Sequence, residues 1–210
     1  MMHISKAQLK DESRIRRLNI VNSIPGVKPV NLIGSISEEG QLNLAVFSSV
    51  IHLGSNPALI GFILRPSGEV RRHTHENIMS TGEYTINALP SVFARQGHYT
   101  SAKFDAEVSE FDAVGLTPEF LDGCKAPFLK ESRMKYSLRF CEEMPIQRNG
   151  TAMVIGEVMD IYVDDAAVSE NGFIDLSVLD CAGISGLNSY YRLEKIADFP
   201  YARPGEFAKE

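Results

Sequence analysis

The stretch Gly40-Gln41-Leu42-Asn43-Leu44-Ala45-Val46-Phe47-Ser48-Ser49 reads as a turn running into a strand that ends in two hydroxyls. Glu38-Glu39-Gly40 makes the turn, because glycine tolerates the positive φ of a tight turn and β-prone residues flank it. Leu42, Leu44 and Val46 then alternate with Asn43, Ala45 and Phe47, so an apolar face opposes one with small side chains. A planar ligand approaches backbone only where side chains are short, and Ala45, Ser48 and Ser49 leave N–H groups reachable. Upstream, Val30-Asn31-Leu32-Ile33-Gly34-Ser35-Ile36 alternates as well and pairs with this strand through the turn.

Working outward, residues 6–18 predict a short surface helix with a ragged apolar stripe. Pro25-Gly26 ends it. After Asn56-Pro57, residues 58–64 are apolar on both faces and predict a central, doubly buried strand. Pro66-Ser67-Gly68 is a loop. Thr74 reads as a helix N-cap, with Glu76 and Asn77 in the first turns and Gly82 at the end. Residues 83–89 resume β alternation and stop at Pro90. Residues 91–102 are helix-like, and 104–123 carry acids, Gly and Pro without periodicity. Residues 134–142, 152–163 and 174–179 predict three more strands, with Asn149-Gly150 and Asn171-Gly172 as hairpin turns. Short strands joined by hairpins, without strict βαβ alternation, indicate an antiparallel barrel.

Three pieces together resemble the flavin reductase-like FMN-binding split-barrel family. They are Asn43-Leu44-Ala45-Val46-Phe47-Ser48-Ser49, Asn56-Pro57-Ala58-Leu59-Ile60 and Arg72-His73-Thr74-His75-Glu76-Asn77-Ile78. The resemblance implies a mainly β fold, an antiparallel six-stranded Greek-key split barrel with peripheral helices. It also implies a homodimer with FMN near the subunit boundary, FAD as an alternative flavin and NAD(P)H as a co-substrate. Arg72, Thr74 and Asn77 would hold the phosphate. Asn43, Ala45, Ser48 and Ser49 would meet the ring and ribityl chain, largely through backbone. Arg65 is either a further phosphate contact or a solvated strand end.

Physical chemistry supports an anion site at the helix, since unpaired N–H groups and the macrodipole favour phosphate there. An ordinary capped helix with a charged surface is the other reading of that segment. His73, His75 and Glu76 resemble a metal cluster only superficially, because no third ligand stands at a convincing spacing. The tail, with Tyr190-Tyr191-Arg192 and Phe199-Pro200-Tyr201, predicts packing across the barrel mouth or against a partner.

With 210 residues, 44% hydrophobic and 23% charged, the chain has ordinary globular composition, and one domain over residues 1–210 is expected. A net charge of −6 argues against a nucleic-acid partner. Cys124, Cys141 and Cys181 form no C-x-x-C pair, so a cytoplasmic protein with three buried small apolar thiols is expected. No apolar stretch predicts a secretion signal or membrane span. No nucleophile elbow, P-loop or dinucleotide fingerprint occurs.

The expected function is flavin-dependent oxidoreduction, with hydride passing to or from the flavin. Family members that use nicotinamide often carry a His five residues before a Gly-x-Val strand. Here Gly156-Glu157-Val158 is that strand and Thr151 holds the position. Nicotinamide use is therefore open, and two rivals stand beside the enzyme: a non-catalytic flavin carrier or redox sensor, and a flavin-free binding module.

Overall fold

A computed structural model of the chain describes residues 1–66, 71–105 and 107–204. Two helices open it, α1 (Lys6–Asp11) and α2 (Arg14–Ser23), where one was expected. The division lies at Ser13, whose hydroxyl accepts from Arg16 N and starts a second helix. The strands β1 (Lys28–Pro29), β2 (Asn31–Ile36), β3 (Leu42–Phe47), β4 (Ile51–Ser55) and β5 (Ala58–Leu64) follow. Gly40 turns β2 into β3 with φ of 89°. Helix α3 (His73–Thr81) ends at Gly82, whose φ of 74° is a left-handed cap. Of the expected 66–68 loop, Ser67 and Gly68 lie outside the described residues.

Next come β6 (Glu83–Ala88), α4 (Ala94–Tyr99), α5 (Glu110–Val114), β7 (Pro118–Glu119) and β8 (Phe128–Leu129). Two long strands, β9 (Met134–Ile146) and β10 (Thr151–Val163), precede β11 (Ala182–Ser185) and β12 (Ser189–Arg192). The strand expected at 174–179 is absent. Asp175 Oδ1 accepts from Ser177 N and Oγ, and this local capture of backbone replaces a ladder by turns. Only the Val168–Ile174 bridge survives there, around the Asn171-Gly172 turn.

The main sheet is antiparallel in the order β3-β2-β6-β9-β10-β5-β4, seven strands where six were expected. Its two edge strands, β3 and β4, are consecutive in sequence. A flat sheet would hold them about 29 Å apart, whereas the link through residues 48–50 reaches only about 14 Å. The sheet must therefore roll until its edges meet, which produces the expected barrel. Ser49 holds the seam: its Oγ donates to Ile63 O at 3.2 Å and accepts from Ile63 N at 3.1 Å. These bonds continue on β5 the ladder that β4 begins.

Alternation along β2 sorts the core. Ile33 points into the barrel with Phe62, Tyr84, Ile86, Leu138 and Val154. Leu32 points outward to Leu44, Leu89, Phe111 and Leu129, under α4 and α5. Gly34 lies where the chain crosses closest: a Cβ there would stand 2.1 Å from the Pro127 carbonyl oxygen. Strand β5 is buried on its barrel face, but its outer face is only half covered, so the expected double burial is incomplete within one chain. Of the cysteines, Cys181 is buried and Cys124 partly so, while Cys141 is exposed on β9, against expectation.

Candidate functional site

Strand β3 forms one side of the site. Its N–H groups point alternately to β2 and away, as antiparallel pairing requires. Leu44 N donates outward, to Glu110 Oε2 at 2.9 Å, so Val46 carries the next outward donor of β3. Asn43 and Ala45, expected to offer backbone to a ligand, instead direct their N–H groups toward β2. Ser48 follows at the strand end, half exposed, and Ser49 is committed to Ile63. Glu110 is buried, and that burial pushes its carboxyl up, opposed by the Leu44 N–H and by His73 nearby. Nothing in the aperiodic 104–123 stretch signals this contact, since Glu110 and Leu44 are distant in sequence.

Helix α3 forms the other side. Its N-cap is Arg72, with φ −120° and ψ 77° and no side-chain cap, so the expected capping by Thr74 is not observed. Thr74 lies inside the first turn, buried, and its hydroxyl accepts from Asn43 Nδ2 at 2.9 Å. The same Asn43 amide donates to Ser35 Oγ at 3.2 Å, and Asn77 Nδ2 donates to that oxygen at 3.1 Å. Three of the expected site residues are thus joined, with Ser35, in one buried network that seats α3 on β2 and β3. Ser35 carried no signal in the sequence beyond its place in an alternating strand. Leaving α3 uncapped keeps its first-turn N–H groups open to an anion.

The two arginines complete this end. Arg72 Nη2 donates to Pro66 O at 3.2 Å, while its Nε is buried without a partner among the described residues. Arg65 is exposed at its edge, yet desolvation by surrounding protein and the charge of Arg72 both lower its pKa. Neither arginine forms a carboxylate ion pair among the described residues. Arg71 does, with Glu76 at 2.5 Å, which removes both from the site. His75 Nε2 lies 2.6 Å from Glu143 Oε2. With Glu76 and His75 so engaged, the His73-His75-Glu76 reading finds no metal-binding group among the described residues.

Against α4 the tail divides. Tyr190 OH meets His98 Nδ1 at 3.3 Å, and Tyr190, Tyr191 and Arg192 line a groove of about 240 Å³ with Ser91, Ala94 and Ala182. Phe199 and Tyr201 beyond it stay exposed. No helix among the described residues is long and apolar enough to cross a membrane.

Comparison with known proteins accords with this geometry. The chain is 50% identical to the split barrel domain protein of Shewanella frigidimarina NCIMB 400, at a TM-score of 0.92 over 96% of this chain and 100% of that one. Nitrilotriacetate monooxygenase component B from Bacillus cereus, 20% identical, shares the fold at a TM-score of 0.83 over 95% and 98%. An uncharacterised protein of Aquifex aeolicus (strain VF5) is 28% identical over 146 residues, 69% of this chain and 73% of its own. Residues 27–178 match the flavin reductase like domain, and with most of its length inside that match the chain belongs to the flavin reductase like domain family.

Proposed function

We propose that the protein binds FMN and acts as a flavin-dependent oxidoreductase, with the phosphate at the N-terminus of α3 and the ring along the outer edge of β3. The observation that carries this reading is the Arg65–Arg72 pair. Two cations set together, one with a buried Nε lacking a partner, are a costly arrangement that a bound dianion offsets. Family membership supports a flavin as that anion. When bound, the flavin supplies hydride chemistry at its ring.

The chain's own residues position and screen. Arg72 and Arg65 face the phosphate, and the first-turn N–H groups of α3 add the helix dipole. Thr74 keeps its hydroxyl proton for donation while accepting from Asn43. Asn43 and Asn77, through Ser35, fix the angle of α3 against β3 and so the spacing between phosphate site and ring platform. Val46 and Ser48 offer N–H groups where negative charge develops on a reduced ring. Hydride transfer to or from the ring requires no side chain as a general acid or base.

A second reading, a non-catalytic flavin carrier on the same barrel, is favoured by Thr151. Its hydroxyl is tied into the hairpin turn, donating to Asn149 Oδ1 at 2.7 Å, and a Thr there offers no imidazole to a dinucleotide. Steady-state turnover with NADH and NADPH separates enzyme from carrier. FAD satisfies the same clasp through its inner phosphate.

Titration of Arg72→Ala with FMN and with riboflavin tests the phosphate site. Loss of a hydrogen bond to a charged group costs about 1.5–3 kcal/mol, roughly a tenfold to hundredfold loss of FMN affinity. Riboflavin affinity stays unchanged, since that ligand presents the ring without the anion. Equal weakening of both ligands would sink the assignment of Arg72 to phosphate.

A further inference from the structure

The chain exposes far more surface than a compact monomer of its mass. Its accessible area is 13599 Å², whereas 23.2 kDa folded compactly exposes about 9,700 Å². A permanent interface takes roughly 1,000–2,500 Å² from each partner, so the excess covers one with room to spare. The exposed tail at Ile196, Phe199 and Tyr201 accounts for part of that excess, and two further features, which are complementary, contribute to it.

The first is the N-terminal arm, which lies outside the family match at 27–178. Neither α1 nor α2 buries a single residue, although Ile15 and Ile24 are 74% and 76% exposed. Two turns of helix gain little stability alone, and helices in proteins hold mainly through tertiary packing. The arm is also basic. Lys6, Lys10 and Arg14 have no acidic partner among the described residues, while Arg16 is paired with Glu12. Since the whole chain has net charge −6, the remainder is more acidic still.

The second is the outer face of β4, β5 and β10. Residues directly opposite across antiparallel strands share a face, so Ile51, Gly61, Ile155 and Glu142 form one row, and Ile63, Met153 and Met144 the next. Leu53 and Met153 close over Gly61, since a Cβ there would stand 3.0 and 3.3 Å from them. Ile51, Leu53 and Met144 remain 43, 40 and 51% exposed. Glu142 and Glu157 sit on the same face, the latter opposite Arg139. An apolar face edged by acid is what a basic, apolar arm fits.

We propose that the arm α1–α2 of one chain lies over the outer face of β4, β5 and β10 of a second copy, and reciprocally. This adds a contact to the homodimer that the family resemblance implies and does not rest on flavin binding. The partner is a second copy because both halves of the contact occur on every chain, which closes a symmetric pair.

Sedimentation and amide hydrogen exchange on the full-length protein test it. In the dimer, the amides of residues 6–23 should exchange at least roughly tenfold more slowly than in protein diluted to monomer. Leu53→Lys adds a charge at an exposed position, so the fold persists while dimer and arm protection are lost together. Ile15→Glu should weaken the dimer by roughly tenfold or more. A dimer whose arm exchanges freely overturns the arm placement alone and leaves the dimer. Arm protection retained in monomeric Leu53→Lys places the arm on its own chain and also overturns it. Protection that appears only with anionic vesicles assigns the arm to a lipid surface and overturns it. A wild-type monomer at all concentrations removes both dimer and arm contact, and FMN titration reads separately.

Discussion

Glu110 shows at residue scale how a site is shaped by a contact no local pattern announces. Its carboxylate holds the outward N–H of Leu44, and burial raises its pKa above the ordinary 4.5. The folded chain therefore binds this proton more tightly than the unfolded one. The stability it contributes is full below the ordinary pKa and is lost as pH rises through the raised value. Denaturation of wild type and Glu110→Gln at about pH 4 and about pH 7 checks the sign. Wild type should lose stability relative to the variant between those values. A relative gain would mean that the bond to Leu44 outweighs burial. Thr74 illustrates the opposite difficulty. Its type and position suit an N-cap, and the sequence reading placed it there, but the hydroxyl accepts from Asn43, 31 residues upstream. Residues 43, 74 and 77 were legible as a group, whereas the roles of Asn43 and Asn77 as braces through Ser35 depend on a tertiary approach that spacing does not encode.

At the scale of elements, punctuation was the legible part. Gly40, Gly82 and Asn149-Gly150 end their elements where glycine chemistry requires. Apolar alternation located β2, β3 and β6, because period-two patterning records which face is covered, and a run apolar on both faces located β5. It failed at 174–179, where Asp175 and Ser177 compete for the backbone, and missed β11 and β12, which lie beyond it. Gly34 belongs to this scale, since it lets the Pro127 carbonyl approach β2 and lets Thr85 Oγ1 donate to that oxygen at 2.6 Å. Gly34→Ala forces either backbone apart, and overpacking of this kind costs about 1–3 kcal/mol. For a chain of this length that lowers the melting temperature by roughly 2–12 °C. Calorimetry on the variant measures it, and an unchanged midpoint would show that β2 and residue 127 separate freely. Gly156 makes a similar approach, to the Tyr84 hydroxyl inside the barrel.

At the scale of the molecule, barrel closure follows from a short link between opposite edges of one sheet, and that link leaves Ser48 half exposed at the end of β3 while Ser49 holds the seam. The proposal of one domain over the whole chain keeps the arm and tail as extensions of that barrel. If the flavin lies near the boundary of two copies, its affinity depends on protein concentration. Fluorescence titration of FMN above and below the dimer dissociation constant should show weaker binding on dilution; constant affinity would place the whole site within one chain. The seven-stranded order was not legible, because pairing between β6 and β9 or β10 and β5 joins segments remote in sequence. One consequence concerns handling of the protein without cofactor. Strand β3 ends the hydrogen-bonded order and is closed on β5 only at Ser49, so the edge before that seam is unpaired, and an unpaired edge is a template on which other chains add strands and build aggregates. Glu110 occupies the Leu44 donor with a charged group, which leaves Leu42 and Val46 as the outward donors of β3 without a partner among the described residues. On the proposed placement a flavin ring laid along that edge would cover the remaining template, and cofactor supply during expression would then bear on colloidal stability.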